Sequence, residues 1–439
     1  METLFKCCAG LDVHQKNVWV CVRRLENDGS INKEIRRFGT MTAELIELRD
    51  WLLKLGVTHA AMESTGVLWK PIYNVLEEHL EVWLCNARHV SNVPGRKTDV
   101  KDCDWLAQLM QCGLLHPSFV PPRTIRNLRD LTRTRTCLED DKTRVANRIH
   151  KVLEDANIKL SAVATDILGV SGRAMLQKII EGESDPQELA ALAKRRLKSK
   201  KPQLEQALRG YVSEHHRFML RLELEQLRSL EGMVTVLDGR IAQVMAEADK
   251  AKAEAEQEQR PETGEELKKK KPAKPPLPLL AALRLMIGTP GIKQRAAENI
   301  LAEIGADMGQ YETERHISSW SGMCSGNNIS AGRSKSGATT RGNNWLRRAL
   351  CQAAWAASRS KKSSLSAMFK RLIRRRGAQR AIVAVGHSIL VSVYHMLRDH
   401  VEYKDLGPDY YAKLNKVGER KMIKHLERLG YKVTPGTAA

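Results

Sequence analysis

CCAGLDVHQKNVWVCV, residues 7–22, decides the fold of the amino-terminal part of the chain. Apolar, β-branched flanks enclose a polar hinge from Asp12 to Asn17, the pattern of two strands joined by a turn. Working outward, residues 31–39 read as a third strand. Residues 41–55, MTAELIELRDWLLKL, have helical periodicity with Thr42 as N-cap. VTHAAMES (57–64) is a short strand, 67–79 a helix, EVWLCN (81–86) another strand, and a helix covers about 99–112. Three strands in a hairpin and meander, then strands alternating with helices, predict a mixed α/β sheet.

Beyond residue 123 the pattern turns helical and basic. Arg123, Arg126, Arg133, Arg144 and Arg148 recur through one long periodic segment. In 203–258, Leu220, Leu227, Val234 and Ile241 are seven apart, and so are Leu230, Leu237 and Val244, three residues on. This is an a/d seam, interrupted at Glu223, and it predicts a coiled-coil contact; a helix packed on its own chain satisfies the same pattern. Residues 259–278 are charged and Pro-rich, the composition of a linker. The expected organisation is 1–155, an α/β domain with a basic helix; 156–258, helical and coiled-coil; 259–278, linker; 279–400, a mostly α domain; and 401–439, a polar tail.

The chain has 439 residues, and 72 Lys+Arg against 51 Asp+Glu leave a formal charge of +21. Such an excess suits phosphate backbones or an anionic surface. No run of eighteen uncharged apolar residues predicts a membrane span, and Met1–Cys8 does not read as a secretory leader. Nine scattered cysteines without a Cys-x-x-Cys pair argue for reduced, cytosolic thiols, against a disulfide framework or a zinc ribbon.

Four features can carry chemistry. Asp12 and Glu63 each end a strand, and strand ends of one sheet lie side by side. Asp99 and Asp102, three apart, share one face of a helix. Four converging acids repel unless cations neutralise them, and carboxylate oxygen suits Mg²⁺ or Mn²⁺. Taken singly each acid is a surface or capping residue, and Asp104 reads as such a bystander. Second, GMCSGNNISAGRSKSGATTRGNN (322–344) is rich in Gly and Asn. It places the hydroxyls of Ser325, Ser330, Ser334 and Ser336 among Arg333, Lys335 and Arg341; composition alone favours an ordinary flexible loop. Third, between Arg315 and Arg398 there are 16 Lys/Arg in 84 residues and no Asp or Glu, Arg347 and Arg348 included, which points to phosphate contact. Fourth, 282–304 holds two helical pieces around Thr289-Pro290-Gly291-Ile292. This is either a helix-hairpin-helix offering backbone amides to phosphate or an ordinary helical hairpin.

GLDVHQK (10–16), MESTG (62–66) and KTDVKD (97–102) resemble the RuvC-like DEDD domain of the insertion-sequence transposase family numbered one-ten, with its eleven-eleven subgroup and the related Piv DNA invertases. TPGIKQRAAENILAEIG (289–305) and CSGNNISAGRSKSGATTRGNNWLRRAL (324–350) resemble the same family's C-terminal transposase domain. The resemblance covers about 7–155 and 280–400. It implies an RNase H-like domain holding divalent metal through Asp12, Glu63, Asp99 and Asp102, and a serine nucleophile at Ser330. It also implies a bridge RNA pairing with donor and target DNA, and homodimers or homotetramers joined by a coiled coil. Cys103 stands where Ala is usual, Ser325 where Pro is common, and Ile329 where Glu is common, so Ser325 is a competing hydroxyl near Ser330.

The expected function is therefore RNA-guided recombination of DNA by serine attack on a phosphate, with no membrane partner. The rival readings are a metal-dependent Holliday-junction-resolving nuclease that uses water, and a nucleic-acid binder without chemistry.

Overall fold

In the computed structural model, strand β1 (Cys7–Val13) turns at His14–Lys16 into β2 (Asn17–Leu25), and β3 (Ile31–Gly39) completes the meander. The structure describes residues 3–258 and 274–411 apart from 65, 87–89, 91–98, 326–327, 331–332, 337 and 341, together with 413, 422–423 and 425–430. At 99–101, 256–258, 328–330 and 333–336 it describes the backbone alone. The chain divides into two compact units, Met1–Pro121 and Pro122–Ala439.

In the first unit β4 (His59–Glu63), β5 (Glu81–Cys85) and β6 (Pro117–Ser118) extend the sheet to the order β3-β2-β1-β4-β5-β6. β1 runs antiparallel to β2 and parallel to β4, and β4 is parallel to β5. This mixed sheet is compatible with an RNase H-like fold. Alternation along each strand sends Ala9, Leu11, Ala60 and Met62 to one face, where helices α1 (Thr42–Lys54) and α2 (Trp69–Leu76) bury Leu45, Leu48, Leu52, Ile72 and Leu76 against them. Cys8, Ala61 and Cys85 face the other side, under α3 (Asp99–Gln111) with Leu106, Leu109 and Met110. The first cap differs from expectation. Met41, not Thr42, is the N-cap of α1, and its N–H donates to the Glu44 carboxylate at 3.1 Å, making Thr42 the first helical residue.

Among the described residues the regular structure of the second unit is helical except for one small hairpin. α4 (Arg123–Asp155) is followed by four short helices, α5 (Leu160–Val163), α6 (Val170–Ile180), α7 (Pro186–Ala191) and α8 (Lys201–Ala207), and then by the 45-residue α9 (Glu214–Glu258). α9 lies antiparallel along α4, as the pairs Arg135–Asp238 and Arg148–Glu223 require. The heptad positions Leu220, Leu227, Val234 and Ile241 are all buried, so the seam is filled from within the chain. Leu220, Leu227 and Leu230 share a core with Val145, Ile149 and Leu153 of α4 and with the short helices. Glu223, the break in the seam, is buried and accepts from Nε of Arg148 at 2.7 and 2.9 Å.

The far end of the α4–α9 pair enters a second core with α10 (Leu279–Ile287), α11 (Gln294–Ile304), α12 (Glu314–Trp320), α13 (Asn344–Ser358), α14 (Ser364–Arg376) and α15 (Ala378–Asp399). α10 and α11 form the helical hairpin the sequence suggests. Its turn is packed inward: Thr289 and Ile292 are buried, and their N–H groups donate to Met286 and Thr289 carbonyls. Gly291 (φ +90°) sits so close to α13 that a Cβ would lie 2.1 Å from the Ala353 oxygen. α15 is long and apolar enough to cross a membrane, yet Ile382, Val385, Ile389, Leu390 and Val393 are spent in this core.

Gly10 sets how closely α3 approaches the sheet. A Cβ there would stand 2.2 Å from the Cys103 carbonyl oxygen and 2.4 Å from the Ala107 nitrogen, both backbone atoms. Gly10→Ala is therefore expected to destabilise the protein by about 1–3 kcal/mol or more, as overpacking does, read as a lower urea midpoint. An unchanged midpoint would show that α3 can withdraw without cost.

Candidate active site

Asp12 and Glu63 are set by strand register. β1 and β4 pair through Cys8↔His59 to Leu11↔Met62, and one step further along the parallel ladder lie Asp12 and Glu63. Leu11 and Met62 are buried on the α1–α2 side, so alternation turns Asp12 and Glu63 to the α3 side. α3 carries Asp102, half-buried, and opens at Asp99, whose side chain lies outside the described residues. Three of the four predicted acids are thus on one face, at the carboxyl ends of neighbouring strands or on the helix covering them. Asp12 also meets His14, with Nε2 at 3.0 Å from Oδ2.

The rest of the helix is anchored by Asp104. Burial works to raise its carboxyl, but hydrogen bonds from Lys33 (2.9 Å) and Arg23 outweigh it and hold the group below the usual carboxylate range. Arg23 is itself buried and donates from Nε to Gln111 at 3.0 Å. Asp104 therefore ties α3 to one cross-strand pair, Arg23 on β2 and Lys33 on β3, and is a structural anchor where the sequence read a surface or capping residue.

In the second unit, 322–344 forms a small hairpin in place of a loop. β7 (Asn328–Ser330) pairs antiparallel with β8 (Arg333–Ser336), and Ser330 opposes Arg333 across the turn. Its ends are pinned. Ser325 bridges Thr339, Thr340 N–H donates to the Cys324 carbonyl at 3.3 Å, and a Cβ on Gly342 would meet the Gly322 nitrogen at 2.2 Å. Asn343 then caps α13, accepting from Trp345 and Leu346 N–H at 3.0 and 3.1 Å, while its amide donates to Glu303 at 2.6 Å. Ser330 is thus the last strand residue before the hairpin's turn. The side chains of Ser330, Arg333 and Lys335, and the whole of Arg341, lie outside the described residues.

Residues 9–158 match the DEDD transposase domain of the IS110 family, and residues 283–370 match the transposase domain described as that of the IS116/IS110/IS902 family. Together they span more than half of the chain. The chain belongs to the IS110 family of transposases. No curated protein matches it.

A DEDD transposase implies a divalent cation, and the donor set fits one in its chemistry. Asp12, Glu63 and Asp102 offer only oxygen. The adjoining thiols stay protonated, since burial pushes Cys85 and Cys103 up to about 11, with the Glu63 and Asp12 charges adding to the effect. An all-oxygen site selects Mg²⁺ or Mn²⁺ over softer ions. Among the described residues no three His, Cys, Asp or Glu side chains stand close enough to hold an ion.

The predicted cations of this transposase divide into two kinds. Arg133 grips buried Glu303 through two hydrogen bonds (2.7 and 2.8 Å), Arg148 holds Glu223, and Arg348 pairs with Asp140. These three hold the fold together. Exposed Arg144 pairs locally with Asp141, Arg123 is exposed at the start of α4, Arg126 is half-buried, and Arg347 lines a surface cleft. Arg135 belongs to the same basic run of α4, yet it is buried and donates to Asp238 at 2.7 Å, Glu298 at 2.5 Å and Asn299 at 2.8 Å, an anchoring role that the sequence reading did not assign it. Its position on the buried stripe of α4, beside Thr132 and Leu128, was the available signal.

The Asp104 anchor carries a pH signature. A carboxyl held low in the folded state adds stability in full above about pH 4, its unfolded value, and loses it as pH falls through the lower folded value. Asp104→Asn should therefore be clearly less stable than the parent at neutral pH, with the gap narrowing below about pH 4 in urea titrations. A gap independent of pH would contradict the ion-pair account.

Proposed function

We propose that this IS110-family transposase recombines DNA by serine attack on a phosphodiester, guided by a structured bridge RNA that pairs with donor and target. The observation that supports this reading best is Ser330 at the end of a pinned strand inside the matched transposase domain, in a chain whose other matched domain gathers acids on one face. Asp12, Glu63, Asp99 and Asp102 would hold Mg²⁺ or Mn²⁺, which supplies charge neutralisation and polarisation at the scissile phosphate.

The chain's own residues do the rest. Ser330 Oγ gives up its proton and forms a bond to phosphorus as the P–O3′ bond breaks, and the departing O3′ takes up a proton in its place, so none is gained or lost overall. The product is a serine–phosphate ester and a free 3′-hydroxyl. Because the ester conserves the phosphoester bond, an incoming 3′-hydroxyl reverses the step and joins strands without ATP. Arg333, Lys335 and Arg341 are near Ser330 in sequence and would stabilise phosphate charge.

Homodimers or homotetramers joined along a coiled coil would use the outer face of α9. There Phe218, Leu222, Met233 and Val236 are exposed, while the heptad seam itself is filled by α4.

Ser330→Ala should abolish covalent capture of DNA while leaving metal binding intact. An adduct that persists in Ser330→Ala and vanishes in Ser325→Ala would move the nucleophile to Ser325. Asp12→Asn should reduce adduct formation by about 10²-fold or more, as loss of a group that organises a metal-dependent phosphate reaction does. Free 5′-phosphate ends with no protein attached, from the parent protein, would favour a junction-resolving nuclease that uses water.

A further inference from the structure

A cleft of about 1030 Å³ opens beside the base of the serine hairpin, bounded by Cys324, Ser325 and Thr339. Its cationic lining comes from three helices: Arg347 on α13, Arg376 at the end of α14 and Arg380 in the first turn of α15. Among the described residues no carboxylate lines it, in keeping with the absence of Asp and Glu between Arg315 and Arg398. The contrast with the neighbouring cleft of about 820 Å³ beside the α10–α11 turn is instructive. Its Arg135, Arg295 and Arg348 are each matched by carboxylates: Glu298 and Asp238, Glu139 and Asp238, and Asp140.

The floor of the hairpin cleft is apolar, with Met368, Leu372 and Val383. His387 stands at its edge with Nδ1 buried and without a hydrogen-bond partner. Gly386 lets α15 pass so close to Met323 that a Cβ would meet the Met323 Cε at 2.6 Å, which fixes His387 against the hairpin's entry. Arg376, Arg380 and His387 all lie beyond both matched family domains, the second of which ends at residue 370.

We propose that this cleft binds an unpaired DNA strand, its phosphates on Arg347, Arg376 and Arg380 and its sugars and bases on the apolar floor, and leads it to the serine hairpin. A concave, cation-rimmed and apolar-floored groove suits a single strand, whose base faces are free to pack. A duplex is read by elements that project into its grooves. DNA is chosen over RNA because the cleft adjoins Ser325 and the strand ending in Ser330, where the DNA substrate of a transposase must arrive. That last step rests on the recombinase reading; the binding itself does not.

The test is binding of a short single-stranded DNA by the full chain in EDTA, titrated across salt, with an RNA of the same sequence in parallel. Arg376→Gln with Arg380→Gln removes two exposed cations of the cleft. Arg374→Gln with Arg375→Gln removes two from the same helix turn outside it. The cleft variant is expected to bind DNA about tenfold or more weakly and to lose about 1.4 from the log–log salt slope, two contacts at about 0.7 each. The control should change by less than about threefold. Equal losses in both variants, parent-like binding by the cleft variant, or a loss confined to RNA would overturn the proposal.

Covalent adduct formation with metal, measured on the same proteins purified together with the RNA they carry from cells holding their own flanking DNA, separates the two readings. If the parent forms no adduct but the cleft variant loses binding, the recombinase reading fails and the cleft stands. If the cleft variant binds and forms adduct like the parent, the cleft fails and the recombinase reading stands.

Discussion

The contact on which the amino-terminal unit turns is that of α3 with β1 at Gly10. A helix backbone lies against a strand backbone there at a distance no side chain would allow. That contact fixes the helix over the ends of β1 and β4, and strand alternation then sends Asp12 and Glu63 toward it. The thiols beside these acids, Cys85 and Cys103, stay neutral because burial keeps them so, leaving oxygen as the donor type there. Asp104, tied to both Arg23 and Lys33, holds the same helix in register without joining the acids it accompanies.

The second unit is organised by buried charge. α4 presents Arg129, Arg133 and Arg135 to α11, whose Glu298 and Glu303 are almost fully buried, and Arg135 reaches Asp238 on α9 as well. Replacing a whole buried pair by apolar groups is often neutral, but stripping one partner costs about 3–5 kcal/mol. Such pairs penalise alternative registers of α4 between its neighbours more than they add net stability. They also anchor the serine hairpin, since Glu303 takes the Asn343 amide at the point where the hairpin joins α13.

Much of this was legible in the sequence. Period-two and period-3.6 patterning placed β1 to β5 and α1 to α4 near their observed limits, because each is one face of a simple layered sheet or one stripe of a helix. The neighbouring positions of Asp12 and Glu63 at the ends of β1 and β4 followed from strand patterning. The destination of the basic residues was not legible. Arg133, Arg148 and Arg348 look like a phosphate-reading set until Glu303, Glu223 and Asp140 are seen to meet them from 170, 75 and 208 residues away. The heptad was visible but its partner was not, although an acid inside an apolar seam is itself a sign that a cation must come from somewhere. The 322–344 segment reads by composition as a flexible loop. The contacts that hold its two ends, at Gly322, Gly342 and Asn343, are made with residues distant in the sequence.

Guided recombination stands or falls on the nucleic acid the protein carries. The chain would be purified from cells holding its own flanking DNA, and the copurified nucleic acid sequenced. A guided recombinase carries one discrete, structured RNA from beside the gene, with loops complementary to the element's ends and to its insertion site. A mixture of unrelated cellular RNA and DNA would contradict it: the +21 charge would then bind phosphate without a guide.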